Sequence, residues 1–227
     1  MTKLSIVIPT WNEKEGIGKT IQAIPKDALE RMGYEVQILV VDSGSNDGTG
    51  ELAKEAGAEV VIEPSRGYGR AFKTGFTRAR GDIIVTADGD ATYPVDDIPR
   101  LVQMLEQEDL DFITTNRFAF MDKGAMSFRN KVGNSVLNLT VKLLFRIGLQ
   151  DSQSGMWVFK RSILEKFRLR FNTPLSQEIK IEAGHFAKCR WKEVPIEYRL
   201  REGKPKLGGW KVGFGNLLHL FKKRIIR

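Results

Sequence analysis

The sequence predicts an α/β protein with a mainly parallel, twisted sheet flanked by helices, and three observations lead there. Short β-branched runs alternate with helical stretches through the first half of the 227-residue chain, which is the pattern of βαβ units. Polar residues gather just past the ends of those runs, where open α/β sheets bind ligands. Hydrophobic residues make up 41% of the chain, enough for a packed core, and the length suits a single domain.

Residues 4–9 form the first apolar run, followed by the polar turn Thr10-Trp11-Asn12-Glu13 and a helix to about residue 23. Residues 36–41 give a second strand ending at Asp42, and Asn46-Asp47-Gly48-Thr49 reads as a turn and helix start with Asp47 as its cap. A third strand covers 58–62, a helix 69–80, a fourth strand 82–87 ending at Asp88, a helix 97–107 and a fifth strand 111–115. In the second half, 127–148 is helical with many apolar residues, and 155–160 and 191–200 are strands with a helix at 177–188 between them. Residues 203–209 form a loop with three glycines, and 210–227 a terminal helix. No internal repeat or linker occurs, so the expected division is one domain over 1–209 with the helix 210–227 after it.

The net charge of +8 is unevenly spread: residues 201–227 carry eight basic residues against one acidic, leaving +1 for the other 200. A basic tail can meet nucleic acid, anionic lipid or phosphate. The single cysteine, Cys189, excludes an intramolecular disulfide and a cysteine metal cluster, which suits a reducing compartment. Residues 1–9 read into a strand rather than a signal peptide, and no run of about 18 uncharged apolar residues suggests a spanning helix.

Four segments carry candidate chemistry. Asp88-Gly89-Asp90 closes an apolar strand, and two carboxylates so spaced can approach one hard divalent ion, Mg²⁺ or Mn²⁺, that keeps phosphates among its other ligands; the same triplet can be an ordinary acidic turn. Asp42 ends the second strand, where a carboxylate can bond a base or ribose, or the segment is simply a loop entering a helix. Arg66-Gly67-Tyr68-Gly69 loosely suggests a phosphate loop, because glycine permits close backbone approach, and equally a plain turn. Arg201-Glu202-Gly203-Lys204-Pro205-Lys206-Leu207 is a basic loop whose arginine can grip phosphate bidentately, or a solvated one.

In combination and order these residues resemble the family-2 glycosyltransferases, and within them the dolichol-phosphate mannosyltransferase group, over essentially the whole chain. Ile6-Val7-Ile8-Pro9 with Asn12-Glu13 is similar to the family's opening, with Trp11 where Tyr or Phe is usual. Val40-Val41-Asp42 through Ser45, Asp47, Gly48 and Thr49 resembles its nucleotide-binding segment, with Ser43 in place of a frequent second Asp. Gly67, Gly69, Ala71 and Gly75 match the next segment, and Asp88-Gly89-Asp90 with Pro94 the metal motif, where Thr92 stands in place of a frequent Gln. Arg117, then Asp151, Ser154 and Gly155, then Glu178, then Arg201, Gly203, Lys206 and Leu207 complete the series, with Met156 for Phe and Pro205 for Ser.

The resemblance implies a GT-A fold and inverting transfer of a sugar, mannose from GDP-mannose foremost, to a dolichyl or polyprenyl phosphate. UDP-glucose or UDP-N-acetylhexosamine is the alternative donor, another glycan or a protein the alternative acceptor, and an inactive nucleotide-sugar-binding module the alternative class. It implies that Pro9, Trp11, Glu13, Val40, Asp42, Gly67 and Gly89 hold the nucleotide-sugar, that Asp88, Asp90 and Thr92 hold Mg²⁺ or Mn²⁺, and that Arg201 and Lys206 close over the diphosphate. Arg117 and Arg129 are expected at the acceptor phosphate. An acceptor phosphate is anionic already, so charge neutralisation matters more than a strong base.

Two helices are expected to face lipid. Val136, Leu137, Leu139, Thr140, Leu143, Leu144 and Ile147 give the helix after residue 127 a broad apolar surface, for an acceptor lipid or for core packing. Trp210, Phe214, Leu217, Leu218, Phe221 and Ile225 make one face of the terminal helix, with Lys211, Lys222, Lys223, Arg224 and Arg227 supplying charge. That amphipathic pattern argues for a membrane surface, on the cytoplasmic face and with or without an anchoring subunit, with docking on the domain's own core as the alternative, and against nucleic acid. His185 and His219 are expected to be structural.

Overall fold

The fold is taken from a computed structural model that describes residues 1–172, 174–204 and 210–226, with the backbone alone at Trp210 and Lys211. Lys206, Pro205, Leu207 and Arg227 lie outside the described residues, as do the side chains of Trp210 and Lys211.

Seven strands form one sheet: β1 (Thr2–Thr10), β2 (Tyr34–Asp42), β3 (Glu59–Ile62), β4 (Ile83–Thr86), β5 (Phe112–Met121), β6 (Trp157–Lys160) and β7 (Trp191–Tyr198). Their order is β3-β2-β1-β4-β6-β5-β7. All pairings are parallel except those of β6, which runs antiparallel to both β4 and β5. The mainly parallel sheet expected from the sequence is therefore present, with one reversed strand inside it. β1 and β4 are buried along nearly their whole length, as strands covered on both faces must be, and this is why they read as unbroken apolar runs.

One face of the sheet carries α1 (Lys14–Gln22), α2 (Lys26–Arg31), α3 (Thr49–Glu55) and α5 (Ile98–Gln107), through Ile17, Leu29, Ala53 and Leu101. The other face carries α4 (Tyr68–Arg78) and α7 (Leu175–Ile181), through Phe72, Phe76 and Ile179. α4 lies so close to β1 that a Cβ on Gly75 would stand 2.3 Å from Val7. A third cluster joins α6 (Phe128–Phe145) to the terminal helix α8 (Trp210–Ile225) through Leu137, Val141, Phe145 and Leu220.

Some boundaries differ from those the sequence suggests. β5 continues past 115 to Met121, because its pairing with β7 resumes after a register shift at Phe120 opposite Glu197. The helix expected over 177–188 is α-helical only to Ile181 and then widens into a π-turn, Glu182–Phe186. α2 was not legible, six residues being too few to show a period.

α8 is docked rather than detached. Leu220 and Lys223 are buried, and Asn216 bonds Gln153, whereas Phe214, Leu218, Phe221 and Ile225 are exposed. Lys223, expected among the surface charges, is thus turned inward. α6 divides likewise: Leu137 packs in the core, with Ile147 just beyond the helix, while Val136, Leu139 and Leu143 stand exposed beside Phe128 and Val132. Among the described residues no helix is long and apolar enough to cross a membrane.

Candidate active site

The ends of β1, β2 and β4 meet at one edge of the sheet, as strand order around a crossover requires. Past β1, Asn12 takes a left-handed backbone (φ 54°), which asparagine tolerates. That bend lets its N–H donate to Ser45 Oγ (2.8 Å) while its carboxamide oxygen accepts from Asn46 N–H (3.0 Å). The loops after β1 and β2 are zipped together in this way. Asp42 stands at the seam, its Oδ1 accepting from the Ser45 backbone (3.1 Å) and hydroxyl (2.5 Å). Asp47 accepts from Thr49 N–H and hydroxyl, but the N-cap of α3 is Gly48, one residue later than expected, and it makes no side-chain cap bond.

Trp11 follows in the same loop. The Arg66 guanidinium lies over its ring, 4.6 Å from the centroid, a cation–π arrangement, and the indole N–H is buried with no hydrogen-bond partner among the described residues. Pro9 and Val40 are buried in the strands, Val40 wholly within the core. Gly67 has φ 149°, open to glycine alone, and introduces α4.

Asp88 and Asp90 close β4. The turn between them is pinned from beneath, because a Cβ on Gly89 would meet Thr10 Cγ2 at 2.8 Å and one on Gly16 would meet the Gly89 carbonyl at 2.7 Å. Ala91 then adopts a left-handed backbone (φ 61°), an uncommon conformation for alanine that marks local strain. Its N–H is held by Thr20 Oγ1 at 3.0 Å. Asp90 is 4% exposed; its Oδ1 accepts from Thr92 N–H (3.1 Å) and hydroxyl (2.6 Å). Burial and the neighbouring Asp90 charge push the Asp88 carboxyl up to about 7, against the pull of the Tyr68 hydroxyl that donates to it at 3.1 Å.

A pair of carboxylates in that condition is short of positive charge. Hard oxygen donors with room for phosphate and water suit Mg²⁺ or Mn²⁺, and the two residues fit such an ion as ligands. No group of three or more His, Cys, Asp or Glu gathers among the described residues; the Thr92 hydroxyl, expected as a third ligand, donates to Asp90 Oδ1. In the structure the positive charge is Arg201, which bonds Asp90 Oδ2 through Nη1 and Glu13 Oε1 (2.5 Å) through Nη2. Its Nε is buried with no partner among the described residues. Glu202 N–H donates to the Asp90 carbonyl (3.0 Å), and Lys19 pairs with Glu202 at 2.6 Å, so the start of this loop is fastened over the carboxylates.

Arg117, on β5, is buried and gripped bidentately by Asp151, through Nε (2.7 Å) and Nη2 (2.9 Å), which leaves Nη1 outside that pair. Its guanidinium lies over the Tyr198 ring at 5.3 Å. Burial raises the Asp151 carboxyl, but Arg117 more than offsets this and holds it down at about 2. The Asp151 carbonyl accepts from the fully buried Lys180 ammonium at 2.6 Å. Gly155 packs between the Tyr68 and Tyr93 hydroxyls and Asp88, where any Cβ would lie 2.2 Å from the Tyr68 oxygen. Arg129 is exposed in the first turn of α6.

The fold therefore brings Trp11, Glu13, Asp42, Asp88, Asp90, Thr92 and Arg201 to one edge and sets Arg117 nearby on an inner strand, within the electrostatic reach of Asp88. Sequence reasoning passed over Tyr93 and Lys180, and gave Arg66 and Tyr68 no role of their own. Tyr68 sits inside a segment it had singled out, but nothing in the spacing aims its hydroxyl at Asp88.

The profile of Glycosyl transferase family 2 matches residues 5–168. The chain is 37% identical over 217 residues to the low-salt glycan biosynthesis hexosyltransferase Agl6 of Haloferax volcanii, covering 92% of this chain and 51% of that protein, so it spans about half of that relative's length. It is 31% identical over 216 residues to the dolichyl-phosphate hexose transferase of the same organism, covering 92% of this chain and 90% of that protein. Among solved structures it resembles glucosyl-3-phosphoglycerate synthase from Mycobacterium tuberculosis in complex with Mn²⁺, UDP and phosphoglyceric acid, with a TM-score of 0.76, 20% identity and coverage of 98% of this chain and 78% of that one. That likeness establishes the GT-A-like fold.

Proposed function

The chain belongs to glycosyl transferase family 2, and on that premise we propose that it transfers a hexose from a nucleotide-sugar to a polyprenyl phosphate. The observation that carries the reading is the buried carboxylate pair Asp88/Asp90 at a strand end, met by an arginine from a loop, Arg201, rather than by a fixed core cation. Such a site suits a nucleoside diphosphate as leaving group. Its relatives' names, a hexosyltransferase and a dolichyl-phosphate hexose transferase, support a lipid-phosphate acceptor. GDP-mannose is the finer donor reading, supported by the sequence resemblance, with UDP-sugars as the alternative.

In this reading Mg²⁺ or Mn²⁺, when bound, offsets the diphosphate charge and stabilises the leaving group. Trp11 and Asp42 hold the nucleoside. Arg201 leaves Asp90 and, with Lys206, takes the diphosphate. Arg117 and Arg129 receive the acceptor phosphate. An oxygen of that phosphate forms the new bond to the anomeric carbon as the bond from that carbon to the β-phosphate oxygen breaks, and the configuration inverts. No proton need move, since the acceptor enters as an anion.

The exposed stripe Val132, Val136, Leu139 and Leu143 on α6 and the stripe Phe214, Leu218, Phe221 and Ile225 on α8 supply an apolar surface with Lys222 and Arg224 beside it. We read this as the side that meets the cytoplasmic face of a membrane, with a separate anchoring subunit as an optional partner. The test is a transfer assay pairing GDP-mannose, UDP-glucose and UDP-N-acetylhexosamines with a polyprenyl phosphate, with and without Mg²⁺ or Mn²⁺. A lipid-phosphate hexose formed only with metal is the expected product; no transfer from any of these donors would overturn the reading.

A further inference from the structure

The terminal helix carries a lysine that no surface role requires. Lys223 is 2% exposed. Its ammonium donates to the Arg168 carbonyl at 2.8 Å and lies 3.0 Å from Glu178 Oε1 and 2.5 Å from Glu182 Oε1. Two hydrogen bonds, to the Arg168 carbonyl and Glu178, and an ion pair with Glu182 compensate the ammonium, as a charge withdrawn from water requires. Glu178 is itself buried, and its carboxylate also accepts the backbone N–H groups of Arg170 (2.9 Å) and Phe171 (3.0 Å). Glu182 lies four residues after Glu178, one helical turn on, and so shares its face and reaches the same cluster.

The segment fixed by Glu178 touches the donor side of the site one residue later. The Asn172 carbonyl accepts Gly69 N–H at 2.9 Å, and its carboxamide oxygen accepts from Lys73 at 3.2 Å. The approach is so close that a Cβ on Gly69 would stand 2.2 Å from that carbonyl oxygen. Gly69 lies in the first turn of α4, where its neighbour Tyr68 donates to Asp88. A series of hydrogen bonds and short backbone steps, partly buried, thus runs from α8 through Glu178 and Asn172 to the carboxylate pair.

We propose that Lys223 is a positioning residue for the donor side of the site: from α8 it fixes residues 168–172 through Glu178, and that segment fixes Gly69, Tyr68 and, through Tyr68, Asp88. The consequence for nucleotide binding rests on the function proposed above; the coupling itself does not. It also means that what happens to α8 at a surface is felt at the carboxylates, because both ends of the 168–172 segment are tied.

The test is amide hydrogen exchange on the full chain and on Lys223→Met, which keeps much of the side-chain length and removes the charge. Residues 66–72 and 168–172 should exchange about tenfold faster in the variant, a local loss of about 1.4 kcal/mol, while β1 and β2 keep their protection. Titration with GDP or UDP and Mn²⁺ should show about tenfold weaker binding, with the KM for prenyl phosphate unchanged; a merely structural lysine would not move one KM and spare the other. Lys223→Met leaves two buried carboxylates without their cation, so Glu182→Gln/Lys223→Met, with one carboxylate fewer, is read wherever the single variant does not fold. Wild-type protection over 66–72 in either folded variant overturns the proposal. If that segment loosens but the unaltered protein binds neither nucleotide, the functional reading fails and the positioning role stands.

Discussion

The Arg201 guanidinium is bonded to the Asp90 carboxylate, so the cation that this carboxylate meets in the structure is a side chain from a loop. A divalent ion drawn to Asp88 and Asp90 would compete with it. Arg201→Ala should therefore bind Mn²⁺ about tenfold more tightly without nucleotide, about 1.4 kcal/mol. Binding of a nucleoside diphosphate together with Mn²⁺ should weaken, because Arg201 is then missing from the phosphates. Calorimetric titration of both variants reads the two effects, which have opposite signs. Looser Mn²⁺ binding by Arg201→Ala would remove the competition.

Asp90→Asn separates charge from scaffolding. An asparagine Oδ1 can still accept from the Thr92 backbone and hydroxyl as Asp90 does now, so the turn should fold. If Asp90 holds a metal as proposed, loss of its charge should reduce transfer by roughly 10³-fold, several kcal/mol of barrier. Circular dichroism and a turnover assay on the same sample test this. Near-normal turnover from the folded variant would sink the metal assignment.

Lys180 gives stability a pH dependence with a definite sign. Burial pushes its ammonium down to about 7, against the pull of Asp151, whereas a lysine in the unfolded chain titrates near about 10.4. Between those values the unfolded chain binds more protons than the folded one, so this group makes stability rise with pH from about 7 to about 10, with its penalty fully present below that window. In Lys180→Met the rise should flatten, seen as urea midpoints that converge on a common slope across the window. An undiminished slope in the variant would show that Lys180 does not titrate there.

The exposed stripe of α8 can be altered without touching its buried side. Leu218→Asp with Phe221→Asp places two charges where both residues now face solvent. Pelleting with anionic liposomes should be lost while the melting temperature stays near its original value, and binding of the unaltered chain should weaken with salt. A chain ended at residue 209 is a poorer test, since it removes the buried Leu220 and Lys223 as well. Undiminished pelleting by the double variant would refute the membrane-surface reading.

The elements most legible in the sequence are those whose environment is uniform. β1 and β4 are covered on both faces, so 4–9 and 82–87 read as apolar runs, and Asp42 and Asp88 at the strand ends follow from them. The reversed direction of β6 left no trace in residues 155–160, because a short buried strand has the same composition in either direction. On α8 the period of 3.6 located a helix but could not say which flank of a wide apolar face would meet α6. Leu217 was grouped with Leu218, yet it packs against the third cluster while Leu218 is exposed. Lys223 was assigned to the surface because lysines usually are, and only Glu178 and Glu182, remote in sequence, reverse that expectation. Arg201 and Asp90, 111 positions apart, could be joined beforehand only by resemblance.

The reversal of β6 has a consequence for how such a site can diversify. Because β6 runs against β4 and β5, the chain arrives at the carboxylate edge along β5, departs through α6, and returns to that edge at Asp151–Gly155 before leaving along β6. Everything between, including the whole of α6, is an excursion whose two ends are fastened at neighbouring strands. Residues up to Asp90 form an uninterrupted stretch that does not depend on that excursion for its strand pairing. The 121–150 interval can therefore change in length without disturbing any pairing among β1, β2, β3 and β4, provided that the buried face of α6 keeps Leu137, Val141 and Phe145 in the third cluster.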